Sequence, residues 1–424
     1  MTGNPGVPAP RDASAAALAG GSCVLLKHGE VFLKGRNRQR FIDRLHGNLR
    51  IALRGVGGST WIKGAQNITV VGGDAPVEAL VERVRRVVGF HYVEPAVRVP
   101  STMEDVTAAA VGALRALCGR RRVRSFAVRV RRRNKDFPLT SSTMEVHLGA
   151  RIQEAVPELP VDLSAPDVTL SVEIDHRETY LSWERHRGLS GLPVGSSGRA
   201  LVLLSGGYDS PVAAHRAMRR GLACDFVHFS GAPYTNAASV YKAYALAREL
   251  NRSQPPGALH VVALGSAQKQ LAVAGAGRLQ VVAQRRLMVR AASRLAARTG
   301  AQALVTGDSL GQVASQTLAN MVAVDEAAEL PVLRPLIGWE KQEIIDEARA
   351  IGTAEVSVLP DEDCCSLLAP PQVSTRAGLP GLRSVERRLE MDEVIEALLA
   401  SAQVLRPGED EAEPARGGDC PAHG

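Results

Sequence analysis

The sequence predicts a multidomain protein of mixed α/β and α+β class, with a doubly wound parallel sheet in its C-terminal half and smaller α+β units ahead of it. Three observations carry that reading. Short apolar runs at 200–204, 224–229, 259–264 and 303–306 alternate with helical periodicity at 211–219, 238–251, 279–299 and 341–351, the pattern of parallel strands joined by crossover helices. Between 21 and 184 the strand and helix patterns are shorter and mixed in order. At 424 residues the chain is also longer than one hydrophobic core sustains.

Taken in order, residues 1–20 are rich in Pro, Ala and Gly and read as a disordered leader. They lack the basic, apolar and cleavable regions of a secretory signal, and no apolar stretch reaches membrane-spanning length, so a cytoplasmic location is expected. A first α+β domain is expected over 21–98, with strands near 23–26, 60–63, 68–71 and 92–97 and helices from 41 and over 77–88. Its opening loop crowds together Lys27, Lys34, Arg36, Arg38 and Arg40, a solubilising face or a set of phosphate contacts.

A second unit is expected over 99–186. It opens with an alanine-rich helix and passes into RRRVRSFAVRVRRRNK at 120–135. There Phe126, Val128 and Val130 alternate with Ala127, Arg129 and Arg131, a strand with one apolar and one basic face. Charge of that kind can guard a sheet edge, but a guard needs only one or two cations. With a net charge of +7 and a pI of 9.3, the run including Arg129, Arg131, Arg133 and Lys135 points to nucleic acid. Glycines and serines at 187–198 mark a linker. The third domain is expected over 199–402, ending in a helix from about 385, and 403–424 is expected to be a disordered tail.

The third domain holds the most specific stretch. The apolar strand at 200–204 ends in Ser205-Gly206-Gly207-Tyr208-Asp209-Ser210, and Pro211 opens a helix. Two glycines let the backbone approach an anion closely, and the helix aims its free N–H groups at the same point. No Lys-Ser/Thr follows the glycines, so this is not the common nucleotide loop. In a doubly wound sheet, ligands sit at the carboxyl ends of strands. His228-Phe229 ends the second strand, and a polar stretch, Thr306 to Thr317, follows the fourth.

Three separated segments together resemble the ThiI family of tRNA sulfurtransferases: KHGEVFLKGRNRQRF at 27–41, SGGYDSPVA at 205–213 and TGDSLGQVASQTLAN at 306–320. FAVRVRRRNKDFPLTSSTMEV at 126–146 looks like the core of that family's THUMP domain, and the similarity runs from about 22 to 376. The resemblance implies a ferredoxin-like N-terminal domain, a THUMP RNA-binding domain and a PP-loop ATP pyrophosphatase domain. It implies ATP and Mg²⁺, and 4-thiouridine formation in tRNA through an adenylated uridine. Leu203, Leu204, Ser205, Gly206, Gly207, Ser210, His228, Phe229, Arg285, Gly307 and Gln316 would then bind ATP. Asp209 would serve pyrophosphate and metal, Lys341 would neutralise the leaving phosphates, and Lys27, Lys34, Arg36, Arg38, Arg129, Arg131, Arg133 and Lys135 would meet tRNA.

In the same family a cysteine carries sulfur as a persulfide, and the matching position falls on Cys364 or Cys365, a choice that alignment leaves open. Six cysteines without a repeated Cys-x-x-Cys pair exclude a disulfide framework and a zinc ribbon. A resolving step needs a second thiol such as Cys224. Beyond about 402 there is no room for the rhodanese domain of longer relatives, so a short form is expected, supplied by a cysteine desulfurase. Transfer to the carrier ThiS for thiamine thiazole synthesis also belongs to the family, and a homodimer stays open. Two competing readings are another adenylating tRNA-modifying enzyme, such as a 2-thiouridylase, and a non-catalytic RNA-binding module.

Overall fold

A computed structural model describes residues 21–33, 35–65, 67–360 and 368–408. The elements of the N-terminal half are β1 (Gly21–His28), α1 (Arg38–Ala52), β2 (Thr60–Ala65), β3 (Ile68–Gly73), α2 (Val77–Val84) and β4 (Phe90–Pro100). They continue with α3 (Met103–Arg120), β5 (Phe126–Arg132), α4 (Ser141–Ala155), β6 (Val168–Ile174), β7 (Glu178–Ser182) and β8 (His186–Arg187). Among the described residues, contacts divide the chain into two units, one of residues 21–28, 55–85 and 90–188, the other of 29–54, 86–89 and 189–408. Helix α1 therefore groups with the C-terminal unit.

The first unit is built on one continuous sheet in the order β2-β3-β1-β4-β7-β6-β5, with β8 pairing β4. The eleven-residue β4 makes it continuous: its first part pairs β1 and its last part, Val97 to Pro100, pairs β7. Two strand sets that the sequence separates thus share hydrogen bonds. Over one face lie α3 and α4, each started by a threonine whose hydroxyl accepts an N–H of the first turn, Thr102 from Asp105 and Thr140 from Thr143. Val106, Leu114, Met144, Leu148 and Ile152 bury against Phe126, Val128, Val130, Leu170 and Val172, at helical spacing on one side and alternation on the other. The helix expected over 77–88 stops at Val84, because the chain must turn at Gly89, with φ of 124°, to enter β4.

The second unit adds β9 (Arg199–Leu203), α5 (Asp209–Arg219), β10 (Ala223–Ser230), α6 (Ala238–Asn251), β11 (Leu259–Ala263), α7 (Gly265–Val273), α8 (Gln280–Thr299) and β12 (Ala303–Val305). It ends with α9 (Leu318–Asp325), β13 (Val332–Leu333), α10 (Lys341–Ala350), α11 (Ala354–Ser357), α12 (Leu379–Glu386), α13 (Met391–Ala400) and β14 (Gln403–Leu405). Strand order is β13-β12-β9-β10-β11-β14, parallel except for β14. The chain runs outward from β9 through β10 and β11, then returns to β12 on the other side of β9. That reversal leaves a crevice beyond the carboxyl ends of β9 and β12.

Both sheet faces are covered, which explains the unbroken apolar strands. Leu201, Val227 and Val262 pack with α7, α8 and α13, while Ala200, Val202 and Phe226 pack with α5 and α6. The single terminal helix expected from 385 is two helices, and residues 403–405, expected in the tail, form β14 against Leu259–Val261. Three residues are too few for a periodic signal, and the free edge of β11 supplies the order instead.

Candidate functional site

The loop after β9 occupies one wall of the crevice. Ser210, buried at the start of α5, clasps it: its hydroxyl takes the Ser205 N–H at 2.9 Å and lies 3.0 Å from the Ser205 Oγ. Among the described residues no side chain caps the first turn of α5, so that turn keeps amide donors for an anion. Leu204 lies buried behind the loop and Leu203 is half-buried. His228 is buried at the end of β10, with Nδ1 2.9 Å from the Leu204 carbonyl and Nε2 3.2 Å from Ser239 Oγ. Its ring braces the strand end behind the loop. Phe229 points into the apolar core.

Asp209 stands at the mouth, half-buried. Lys341, the first residue of α10, donates to its Oδ1 at 2.7 Å, and Gln312 donates to its Oδ2 at 3.0 Å. The Lys341 ammonium also lies 5.6 Å from the Tyr208 ring centre. A capping box between Glu340 and Glu343 fixes the start of α10, so Lys341 is delivered by a defined helix end.

The opposite wall follows β12. A Cβ on Gly307 would meet the Ser210 nitrogen at 2.6 Å, so the two walls touch backbone to backbone and only glycine fits. Gly307→Ala is expected to lower the unfolding free energy by about 1–3 kcal/mol, read from a urea titration. An unchanged midpoint would mean that the chain moves aside without strain. One residue on, Asp308 accepts from Arg285 at 2.5 Å and Gln316 at 3.2 Å through Oδ1, and from Thr306 at 2.8 Å and Arg334 at 3.2 Å through Oδ2. Burial alone would raise this carboxyl, but the Arg285 guanidinium, the Thr306 hydroxyl and Arg334 outweigh it and hold Asp308 below the ordinary carboxylate range.

Of the ATP-site residues expected from sequence, Ser205, Gly206, Gly207, Asp209, Ser210, Gly307, Arg285, Gln316 and Lys341 therefore gather around one crevice. Sequence reasoning missed Gln312, Asp308 and Arg334. An Asp beside a buried strand end was a usable signal for one of them; Arg334 comes from beyond a separate strand, β13, and left none.

The basic face is on the first unit. β5 is the terminal strand of its sheet, with Phe126, Val128 and Val130 buried and Arg129 and Arg131 exposed. Arg129 donates to the Leu163 carbonyl at 2.9 Å, which fixes its direction without cancelling its charge. Lys135 is exposed too, and a cavity of about 310 Å³ between Arg131, Arg133, Lys135 and Ser141 borders the first turn of α4. Two of the residues expected to meet tRNA also hold ion pairs inside the protein. Arg133 is buried in an ion pair with Glu173, and Lys27 pairs with Glu173 and, at 3.6 Å, with Glu94. Both cations offset buried acids from other strands of the sheet. Arg36 is exposed and Arg38 half-buried at the start of α1, in the other unit.

Lys34, Cys364 and Cys365 lie outside the described residues. Cys224, expected as a resolving thiol, is buried at the amino end of β10, where burial pushes its thiol up. That end of the strand is away from the crevice, so the expectation is withdrawn.

Residues 195–391 match the family model described as thiamine biosynthesis protein (ThiI), 100–184 match the THUMP domain and 23–93 the ThiI ferredoxin-like domain. The chain is 57% identical over 402 residues to a protein of Nocardia farcinica named "Probable tRNA sulfurtransferase", covering 93% of this chain and 97% of that one. A protein of the same name from Thermus thermophilus is 42% identical over 398 residues, with 93% and 97% covered. Among solved structures, a 4-thiouridine synthetase in complex with RNA and bound ATP is similar with a TM-score of 0.84 at 30% identity, covering 91% of this chain and all of that one.

Proposed function

This chain belongs to the ThiI family of tRNA sulfurtransferases, and we propose that it uses ATP to convert a tRNA uridine to 4-thiouridine through an adenylated intermediate. One observation carries the reading: the Ser205–Ser210 loop with Asp209 and Lys341 at its mouth, at the reversal point of a parallel sheet. The loop amides and the α5 dipole would hold the phosphates. The uridine O4 would attack the α-phosphorus, releasing pyrophosphate and the N3 proton. Charge then grows on the leaving group, where Lys341 would meet it.

Among the described residues no group of three His, Cys, Asp or Glu gathers to hold a metal. The single carboxylate of Asp209 fits Mg²⁺ that arrives on the nucleotide, because this ion binds through one or two carboxylates plus substrate phosphates. When bound, it would withdraw charge from those phosphates.

Arg129, Arg131 and Lys135 would meet the tRNA backbone. Replacing Arg129 and Arg131 by Ala is expected to weaken tRNA binding and to reduce the slope of log affinity against log salt by about two, roughly 0.9 per phosphate contact. Equal affinities across a salt series would make the strand a guarded edge and nothing more. Sulfur would reach Cys364 or Cys365 as a persulfide from a cysteine desulfurase, with the carrier ThiS as a second acceptor.

The test is nucleoside mass spectrometry after incubating unmodified tRNA with the protein, Mg-ATP, a cysteine desulfurase and cysteine. 4-Thiouridine supports the reading, and 2-thiouridine in its place would favour the competing thiolase. Neither product, together with no exchange of pyrophosphate into ATP, would leave an RNA-binding module.

A further inference from the structure

Asp308 stands at the centre of the second wall of the crevice, and its four donors come from four different places: Arg285 on α8, Gln316 on the 3-10 turn Ala314–Gln316, Thr306 at the end of β12 and Arg334 beyond β13. A carboxylate has about four acceptor sites, and the residue is 5% exposed. Nothing remains for a ligand or an ion to take directly. Whatever Asp308 does for the reaction, it does through the groups it holds.

Those groups are held in defined states. An ionised carboxylate only accepts, so the Gln316 amide must turn its nitrogen towards Asp308 and its oxygen away. Among the described residues that oxygen has no hydrogen-bond partner, a deficit that a bound donor would relieve. Arg285 is steered from two sides, by Asp308 and by the Ser315 carbonyl at 3.0 Å, and its charge is offset by its partner. Arg334 in turn is clamped by Asp325 at 2.5 and 3.0 Å, which ties the cluster to the end of α9.

An unpaired amide oxygen repels phosphate, and an offset guanidinium attracts it less than a free one. We propose that Asp308 is a positioning residue for the nucleoside part of ATP: it fixes Gln316 as an acceptor and Arg285 as a directed donor for the amino and hydroxyl groups there, leaving the phosphates to the Ser205–Ser210 loop. The proposal rests on the ATP-dependent reading above. It divides the crevice into a nucleoside wall and a phosphate wall.

The test uses full-length protein and two probes, ATP and inorganic tripolyphosphate, with binding followed by calorimetry and turnover by thiolation of tRNA. Asp308→Asn keeps the shape, removes the charge and frees the Gln316 amide to turn. It is expected to weaken ATP binding and raise KM for ATP about ten-fold or more, with tripolyphosphate binding and kcat at saturating ATP nearly unchanged. Gln316→Leu serves if the first variant does not fold, and weaker ATP binding with tripolyphosphate binding retained is expected of it. Parallel loss of both probes in a folded variant, or loss of neither, overturns the proposal. A wild-type protein that binds tripolyphosphate but no ATP overturns it together with the ATP-dependent reading, and is told apart because that failure appears without any substitution.

Discussion

Asp209→Ala is expected to abolish ATP-dependent thiolation while leaving the fold and tRNA affinity in place. The carboxylate meets Lys341 and Gln312 at the mouth of the loop, with 22% and 46% of the Asp209 and Lys341 side chains exposed. A pair so placed contributes at most about 1 kcal/mol to stability, so the variant should unfold within a few degrees of the wild type. Its effect on rate is of another order. Removing one preorganised charged group from a site where charge develops costs about 10²–10³ in turnover, and here the same group would also receive the metal on the nucleotide. Pyrophosphate exchange into ATP is the direct readout, because it needs no sulfur. Since the basic strand β5 belongs to the other unit, filter binding of tRNA should not change. Normal exchange by Asp209→Ala would remove this residue from the adenylation step.

The loop was legible because three local signals coincide at 200–213: an unbroken apolar strand, paired glycines and a proline at a helix start. Gly307 could be assigned only by resemblance. Its reason is the approach of a second wall, which lies about a hundred residues away in sequence and is brought there by the return of the chain to β12. The basic run shows the limit differently. Alternation correctly exposed Arg129 and Arg131, but Arg133 and Lys27 were unreadable as internal counterions because their partner, Glu173, comes from β6, and only strand register brings the three together. Likewise 92–97 read as a strand, whereas the extra residues to Pro100 join two strand sets in one sheet. The general fold class survives because it depends on periodicity; pairings across strands depend on register, which a single sequence does not display.

The double variant Cys364→Ser, Cys365→Ser is expected to bind tRNA and to exchange pyrophosphate into ATP normally, yet to lose thiolation with desulfurase and cysteine by more than about 100-fold. The expectation follows from what the other thiols among the described residues can do. Attack on an activated carbon needs a thiolate or a persulfide anion. Burial pushes Cys23 up to about 12 and raises Cys224 further, and Cys118 is also raised by burial and by Glu158 nearby. None of these three is charged near neutral pH. A persulfide on Cys364 or Cys365 would attack C4 of the adenylated uridine through its outer sulfur, displacing AMP and leaving an S–S link to the protein. Cleaving that link needs two electrons from a thiol. The neighbouring cysteine is poorly placed to supply them, because adjacent Cα atoms are about 3.8 Å apart, closer than an ordinary disulfide spans. An added thiol reductant should therefore accelerate turnover of the wild type and do nothing for the double variant. One single variant should reproduce most of the loss and so decide between the two positions. Full thiolation by the double variant under the same supply would overturn the persulfide step and move the sulfur to free sulfide or to another residue.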